Sequence, residues 1–211
     1  MNDSGSVQEA KKKRSLQSLT GFLIILLIYL VLAVTAAFLY LKGFNPLTNT
    51  LGQLGNPTLN PSGAIFYNIG IFIISCPIFL IAILVLAFGK EWKAKFGVKN
   101  KLMFHSVVGF MVLFAFLNIL TAVFPAGTND AANSLFTLLF FISFELFVVL
   151  SALGIRKVKD RVDWVPKLGF AVFTINLGLV IISAVSGVLT VSWILAILSW
   201  FYMLAFVYQF S

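Results

Sequence analysis

Residues 135–150 read LFTLLFFISFELFVVL, an apolar stretch that decides the class of fold. Glu145 is its one ionisable residue. Placing a charge near the centre of a bilayer costs roughly 3 kcal/mol on insertion scales, so such a residue is usually neutralised, paired or turned towards a wet cavity. Glu145 is therefore the first candidate for a functional residue in this chain, although the stretch itself indicates no reaction.

The composition of the whole chain is typical of a membrane protein. Of the 211 residues, 60% are hydrophobic and only 10% are charged, and the mean hydropathy is +1.03. Soluble domains carry about 25% charged residues, so this chain needs a bilayer as its solvent. In a soluble protein the net charge of +8 would suggest nucleic acid. Here the basic residues flank apolar spans, and no nucleic-acid partner is expected.

Six segments reach the roughly 20 apolar residues that a membrane-spanning helix needs. They are predicted at residues 20–41, 61–88, 102–124, 133–154, 168–188 and 192–209. We therefore expect one all-α domain over residues 19–211, a polytopic integral membrane six-helix bundle. Residues 1–18 are polar and basic, and they are predicted to form a disordered cytoplasmic tail.

The distribution of basic residues predicts the orientation. Fourteen of the fifteen Lys and Arg residues precede the first span or lie in the second and fourth connections, and Lys42 is the exception. By the positive-inside rule, we expect a multi-pass cell-membrane protein with both termini in the cytoplasm, N-in and C-in. A tetrabasic run in the tail is expected to contact anionic lipid headgroups. It consists of Lys11, Lys12, Lys13 and Arg14.

Metal and cofactor chemistry is not expected. The chain has one histidine, His105, and one cysteine, Cys76, which are too few for a closed tetrahedral zinc site. A nucleophilic thiol needs a neighbouring base, and no histidine lies at the predicted depth of Cys76. We therefore predict no metal site, no cofactor and no catalytic residue.

Polar side chains deep in the predicted spans are the candidate site residues. Buried polar groups in a bilayer must find partners, and Asn and Ser commonly hydrogen-bond across helices. No Lys or Arg shares the depth of Glu145, and desolvation there favours the uncharged acid, so a protonated, hydrogen-bonded carboxyl group is expected. The predicted intramembrane polar cluster, structural or ligand-binding, comprises Glu145, Asn118, Asn176, Tyr202, Asn68 and His105.

The longest connection, residues 42–63, contains three Asn-Pro pairs. Asn favours the N-cap and Pro the first turn of a helix, so each pair can begin a helix or a turn. Leu47, Leu51 and Leu54 recur at helical spacing. This spacing predicts a short amphipathic helix on the outer membrane surface, and the third pair is expected to begin the second span. Such a connection is either a structured lid on the helix ends or a gate over an outward cavity.

Two short stretches match each other. Residues 68–75 read NIGIFIIS and residues 176–183 read NLGLVIIS. They fall in the second and fifth predicted spans, which run in opposite directions, as in the 3+3 inverted repeats of transporters. Only the Asn, Gly and Ser positions are informative, because Ile and Leu are abundant throughout the chain.

Two longer stretches carry a family resemblance. Residues 45–74 contain NPLTNTLGQLGNP and AIFYNIGIFI, and residues 122–153 contain AVFPAGTND and LFTLLFFISFELFVVLSAL. With the six-span layout, they resemble the membrane family catalogued as domain of unknown function 998. The Phe-Pro step at residues 124–125 matches the family pattern, whereas the family's fourth-span His has no counterpart. The resemblance implies a six-helix bundle and no established reaction.

Three classes of function remain open, and the first is favoured. The protein is expected to be a non-enzymatic lipid-embedded scaffold, or an accessory subunit with membrane-protein partners. The alternative is a small proton- or cation-coupled transporter or channel that uses Glu145. The third is an intramembrane lipid-modifying enzyme, which would need a second catalytic group beside Glu145 or His105.

Overall fold

The structure is a computed structural model that describes the backbone of residues 3–90, 93, 101–158, 161–186 and 191–210, and side chains within these ranges from residue 17 onwards except at residues 183–186 and 191. This part of the chain is helical and contains no strand. Its seven helices are α1 (Asp3–Phe38), α2 (Leu51–Leu54), α3 (Ala64–Ala87), α4 (Lys101–Val123), α5 (Asp130–Ile155), α6 (Trp164–Ser186) and α7 (Val191–Phe210).

Six of the helices are long and apolar enough to cross a membrane, which confirms the predicted all-α six-span fold. We label the spans S1 to S6 in chain order, one in each helix except α2. They are Gln17–Phe38, Ala64–Ala87, Lys101–Val123, Asp130–Ile155, Trp164–Ile182 and Ser192–Phe210. Their ends lie within six residues of the predicted ones, and the largest difference is at the end of S5.

Helix α1 begins well before its apolar span. It starts at Asp3, whereas we expected a disordered tail over residues 1–18. Residues 8–14, QEAKKKR, are all good helix formers. A helix that is already nucleated in the span gains one hydrogen bond for each residue added. The side chains of the tetrabasic run lie outside the described residues.

The six spans form a closed ring. Each span packs against its neighbours in the chain, and S6 packs against S1. One buried cluster fills the interior: S2 to S6 all contribute to it, and Phe22 of S1 packs against it. Aromatic rings are prominent in the cluster, and the Phe147 ring centroid lies 5.2 Å from that of Phe114 and 5.0 Å from that of Phe206.

The predicted surface helix is shorter and more buried than we expected. Helix α2 covers only Leu51–Leu54, and Leu54 is fully buried, whereas Leu47 is 69% exposed and lies outside the helix. The reason is local, because the Asn45 side chain accepts a hydrogen bond from the Leu47 amide and the Asn49 side chain accepts one from the Asn45 amide. Such bonds offer the backbone an alternative to a helix.

One side chain joins the ends of three helices. Asn60 is fully buried, and its Nδ2 donates to the carbonyl oxygens of Ala36 and Leu54, both at 2.9 Å. Its Oδ1 accepts from the Gly63 amide, the N-cap of α3, at 3.1 Å. The last turns of α1 and α2 would otherwise leave these two carbonyl groups unpaired, whereas the Gly63 amide also donates to the Asn60 carbonyl oxygen at 3.2 Å. Span S2 consequently begins after this turn, at Ala64, three residues later than predicted.

Residues 39–63 and 124–129 together cover one end of the ring, and we call them the lid. The Trp193 indole of S6 donates to the Asn49 carbonyl oxygen at 3.1 Å. Gly127 has φ +84°, and a Cβ there would clash with Asn56 Oδ1, so glycine lets the two lid segments meet. This is the arrangement of a structured lid. We call the opposite end, where Arg156 and Lys167 lie, the basic end.

The two matching stretches make different contacts. Asn68 bonds to the lid and Ser75 to S3, whereas Asn176 bonds to S4. The Ser183 side chain lies outside the described residues. The inverted repeat therefore stays a prediction.

Candidate functional site

Glu145 and Asn176 lie near the middle of their spans. At 1.5 Å per residue, Glu145 is about 15 Å from the end of α5 at Ile155, and Asn176 is about 18 Å from the start of α6 at Trp164. Both helix ends are at the basic end. The hydrocarbon core of a bilayer is about 30 Å thick, so both side chains are placed close to its midplane.

The two side chains are directly bonded. Asn176 Nδ2 donates to Glu145 Oε1 at 2.6 Å, which joins S5 to S4. Asn176 is 1% exposed, and Glu145 is partly buried. Glu145 Oε2 and Asn176 Oδ1 are also buried, and neither has a hydrogen-bond partner among the described residues. The pair therefore uses half of its hydrogen-bonding atoms.

No cation pairs with Glu145 in the part of the chain that the structure describes. The ion pair present there joins Arg161 Nε to Asp163 Oδ1 at 2.9 Å and lies at the exposed basic end. An uncompensated charge in a low-dielectric interior is costly. Among the described residues, Glu145 thus has no opposite charge that would compensate an ionised carboxylate.

Two other predicted site residues join different pairs of spans. Asn118 Nδ2 donates to Ser75 Oγ at 2.8 Å and so connects S3 to S2. The Tyr202 hydroxyl of S6 lies 2.5 Å from Ser151 Oγ of S4 and also donates to the Val148 carbonyl oxygen at 3.3 Å. Neither residue forms a hydrogen bond with Glu145.

The remaining two predicted site residues lie near the ends of the ring. Asn68 Nδ2 donates to the Gly55 carbonyl oxygen at 3.0 Å, which attaches S2 to the lid. His105 is exposed, and its Nδ1 lies 2.6 Å from the Lys101 carbonyl oxygen of its own helix. His105 is about 6 Å from the start of α4, roughly 9 Å shallower than Glu145. Of the six predicted residues, hydrogen bonding brings only Glu145 and Asn176 together.

Two residues at contacts between spans, Gly169 and Ser151, were not among the predicted site residues. A Cβ at Gly169 would lie 2.7 Å from a ring carbon of Tyr202 and 2.8 Å from Cβ of Ala152, so only glycine lets S5 approach S4 and S6 this closely. Small residues at helix interfaces are the usual signal for such contacts in membranes. Several glycines and serines are spread over the spans, and that signal alone does not select these two.

Two grooves follow the seam between S2 and S3, away from Glu145. The groove nearer the lid has a volume of about 390 Å³, and its lining includes Asn68, Phe72 and Pro125. The groove nearer the basic end has a volume of about 540 Å³, and its lining includes Gly109 and Phe116. Both linings are mostly apolar, and neither includes Glu145 or Asn176.

The Glu145–Asn176 pair offers few groups that could take part in chemistry. Among the described residues, no group of three His, Cys, Asp or Glu side chains could hold a metal ion. The bonded carboxyl and amide groups can link two helices and can bind a proton. A comparison of the chain with family models, curated proteins and solved structures gave no match.

The fold is that of a multi-pass integral membrane protein. The resemblance to the domain of unknown function 998 family stays a prediction, as do the type of membrane and the N-in, C-in orientation.

Proposed function

We propose that this protein is a non-enzymatic accessory subunit of a membrane complex, embedded in lipid and holding a partner's transmembrane helix. The observation that supports this most directly is that its deep polar side chains hydrogen-bond one span to another. Glu145 with Asn176, Asn118 with Ser75, and Tyr202 each join one pair of spans. Such side chains form hydrogen bonds that hold neighbouring helices together. They do not converge on a common cavity.

The seam between S2 and S3 is the surface we assign to the partner. Six residues along it recur at intervals of seven, which keeps them on one face of each helix. They are Ile65, Phe72 and Phe79 on S2, and Gly109, Phe116 and Val123 on S3. They extend over about 21 Å of each helix axis, which is most of the hydrocarbon thickness and suits a transmembrane helix.

Gly109 gives this seam its capacity for close helix packing. A Cβ at this position would have no atom within 4 Å, so the backbone of S3 is open at the groove. Small residues that allow backbones to approach are enriched where membrane helices associate. The rings of Phe79 and Phe116, with centroids 5.9 Å apart, form the floor beside it.

Site-specific crosslinking in native membranes tests this proposal. A photo-crosslinking amino acid at Gly109 is expected to capture one defined membrane protein. The same amino acid at Gly178 on S5, where a Cβ would also meet no atom within 4 Å, is expected to capture none. Gly109→Phe fills the groove and should abolish copurification of that partner without lowering the thermal stability of this chain. Crosslinks to lipid alone, or to a second copy of the chain, would contradict an accessory role.

A second candidate function is proton-coupled transport, and the two buried oxygens without partners favour it. A transporter of this kind would lose proton flux in proteoliposomes when Glu145 is replaced by Gln. An accessory subunit should keep both its stability and its partner in the same variant. Flux that is present in the unaltered protein and absent in Glu145→Gln would replace the first proposal with this one.

The basic tail is the part of the chain that we assign to lipid headgroups. The tetrabasic run of the tail, Lys11 to Arg14, is assigned to anionic headgroups because clustered cations next to a span are attracted to them. Stronger binding to vesicles with anionic lipid than to neutral vesicles, lost when the four residues are replaced by Gln, is the expected result.

A further inference from the structure

The Glu145–Asn176 pair leaves two of its four polar side-chain atoms without a partner in the described part of the chain. Asn176 Nδ2 already donates to Glu145 Oε1. The two atoms that remain, Glu145 Oε2 and Asn176 Oδ1, are buried and have no partner among the described residues. An ionised carboxylate and an amide carbonyl are both acceptors, so they cannot bond to each other without a proton. Buried polar atoms in native proteins nearly always have a partner.

We propose that Glu145 is a proton-binding site, and that its bound proton closes a ring of two hydrogen bonds with Asn176. A carboxylic acid and a primary amide have complementary edges. The acid carbonyl accepts the amide N–H, and the acid O–H donates to the amide carbonyl. A single proton on Glu145 Oε2 therefore pairs both unused atoms at once.

A proton fits this site better than a metal cation does. Hard cations such as Ca²⁺ and Mg²⁺ take about six or more oxygen ligands. The pair offers two free oxygens, and the described residues contain no cluster of acidic, His or Cys side chains that would add more. A proton needs only a donor oxygen and an acceptor oxygen.

The helices around the pair provide no counter-charge for an ionised Glu145. Other titratable groups on α5, on its neighbours α4 and α6, and on α7 lie near helix ends or are bonded elsewhere. They are Asp130 on α5 and Arg156 at its C-cap, Lys101 and His105 on α4, Lys167 on α6, and Tyr202 and Tyr208 on α7. In the described part of the chain, none of them has a hydrogen bond or ion pair with Glu145.

The proton consequently acts as a link between S4 and S5. In the neutral state two hydrogen bonds cross the interface. When the proton leaves, Asn176 Oδ1 loses its donor and a charge is left near the middle of the bilayer. The contact between the two spans is therefore expected to loosen on deprotonation, so the stability of this interface should depend on pH.

Infrared spectroscopy of the reconstituted protein tests the protonation state. The chain has seven Asp and Glu residues, and Glu145 is the one that lies inside the apolar stretch 135–150. We expect one carboxylic-acid carbonyl band at neutral pH, shifted in D₂O and lost in Glu145→Gln. Asp130→Asn is the control and should keep the band. Absence of the band in the unaltered protein, or its survival in Glu145→Gln, would overturn the proposal.

Substitution of Asn176 tests the ring itself. In Asn176→Leu the acid band should persist but shift to the higher frequency of a carbonyl with fewer hydrogen bonds. Gln at position 145 reproduces the donor and acceptor edges of the neutral acid. Glu145→Gln should therefore keep the thermal stability of the unaltered protein and lose its decline at alkaline pH. An acid band that does not move in Asn176→Leu would show that the proton is held by another group.

Discussion

Replacing Asn60 by Ala should loosen the lid and lower the stability of the whole ring. The substitution removes three hydrogen bonds, two from Nδ2 to the carbonyls of Ala36 and Leu54 and one from the Gly63 amide to Oδ1. A typical intramolecular hydrogen bond contributes about 1 kcal/mol net. The two carbonyl groups belong to helix ends and lose their donor, while the Gly63 amide keeps its bond to the backbone carbonyl of residue 60. We therefore expect a loss of about 3 kcal/mol in the free energy of unfolding.

Asn45→Ala is the matched control. Asn45 also precedes a proline, so both substitutions act on a backbone with the same restriction. Its side chain accepts one hydrogen bond, from the nearby Leu47 amide, in an exposed turn. Surface changes of this kind usually stay within about 0.5 kcal/mol.

The assay is reversible unfolding of the purified variants in mixed micelles with increasing denaturing detergent. Asn60→Ala should unfold at a clearly lower detergent fraction than Asn45→Ala. If both variants unfold together with the unaltered protein, Asn60 does not hold the three helix ends, and the argument from unpaired backbone groups fails.

Three further outcomes are expected. Gly169→Leu should destabilise the ring by about 2 kcal/mol because its side chain would overlap Tyr202, whereas Gly178→Leu, which meets open space, should change thermal stability by less than about 0.5 kcal/mol. Tyr202→Phe should lower the free energy of unfolding in detergent by about 1 kcal/mol, because the hydrogen bonds of the hydroxyl group are lost. An unchanged free energy of unfolding would argue against these bonds. In a variant without the native cysteine, impermeant reagents should label Lys42→Cys from outside the cell and Lys157→Cys only after permeabilisation; labelling of both from one side would contradict the orientation.

The proposed proton link and the proposed partner groove lie on different parts of the ring. The former joins S4 to S5, and the latter follows S2 and S3. Their tests are therefore separable, since Gly109→Phe acts on the groove and Glu145→Gln on the link. A result on one surface leaves the other proposal to be decided by its own experiment.

The spans could be predicted from sequence because the bilayer imposes a simple rule. Backbone N–H and C=O groups in hydrocarbon must form hydrogen bonds within their own segment, so a long apolar run there has to be helical. Glu145 stood out for the same reason, as the one ionisable residue of its run. The lid was harder to predict, because side chains such as Asn45 and Asn60 act on backbone groups that the local pattern does not reveal.

Hydropathy along the chain was enough to predict the helical class, the number of spans and the approximate depth of each polar residue. Which of these residues meet depends on how the spans pack: Asn118 and Asn176 both belong to the predicted polar cluster, yet Asn176 bonds to Glu145 and Asn118 bonds to Ser75 on S2. The physical reason is that these helices are apolar on every side. Each residue advances the helix by about 100°, and without a polar stripe no pattern shows which face turns inward. The order of packing around the ring fixes that rotation, and with it the site.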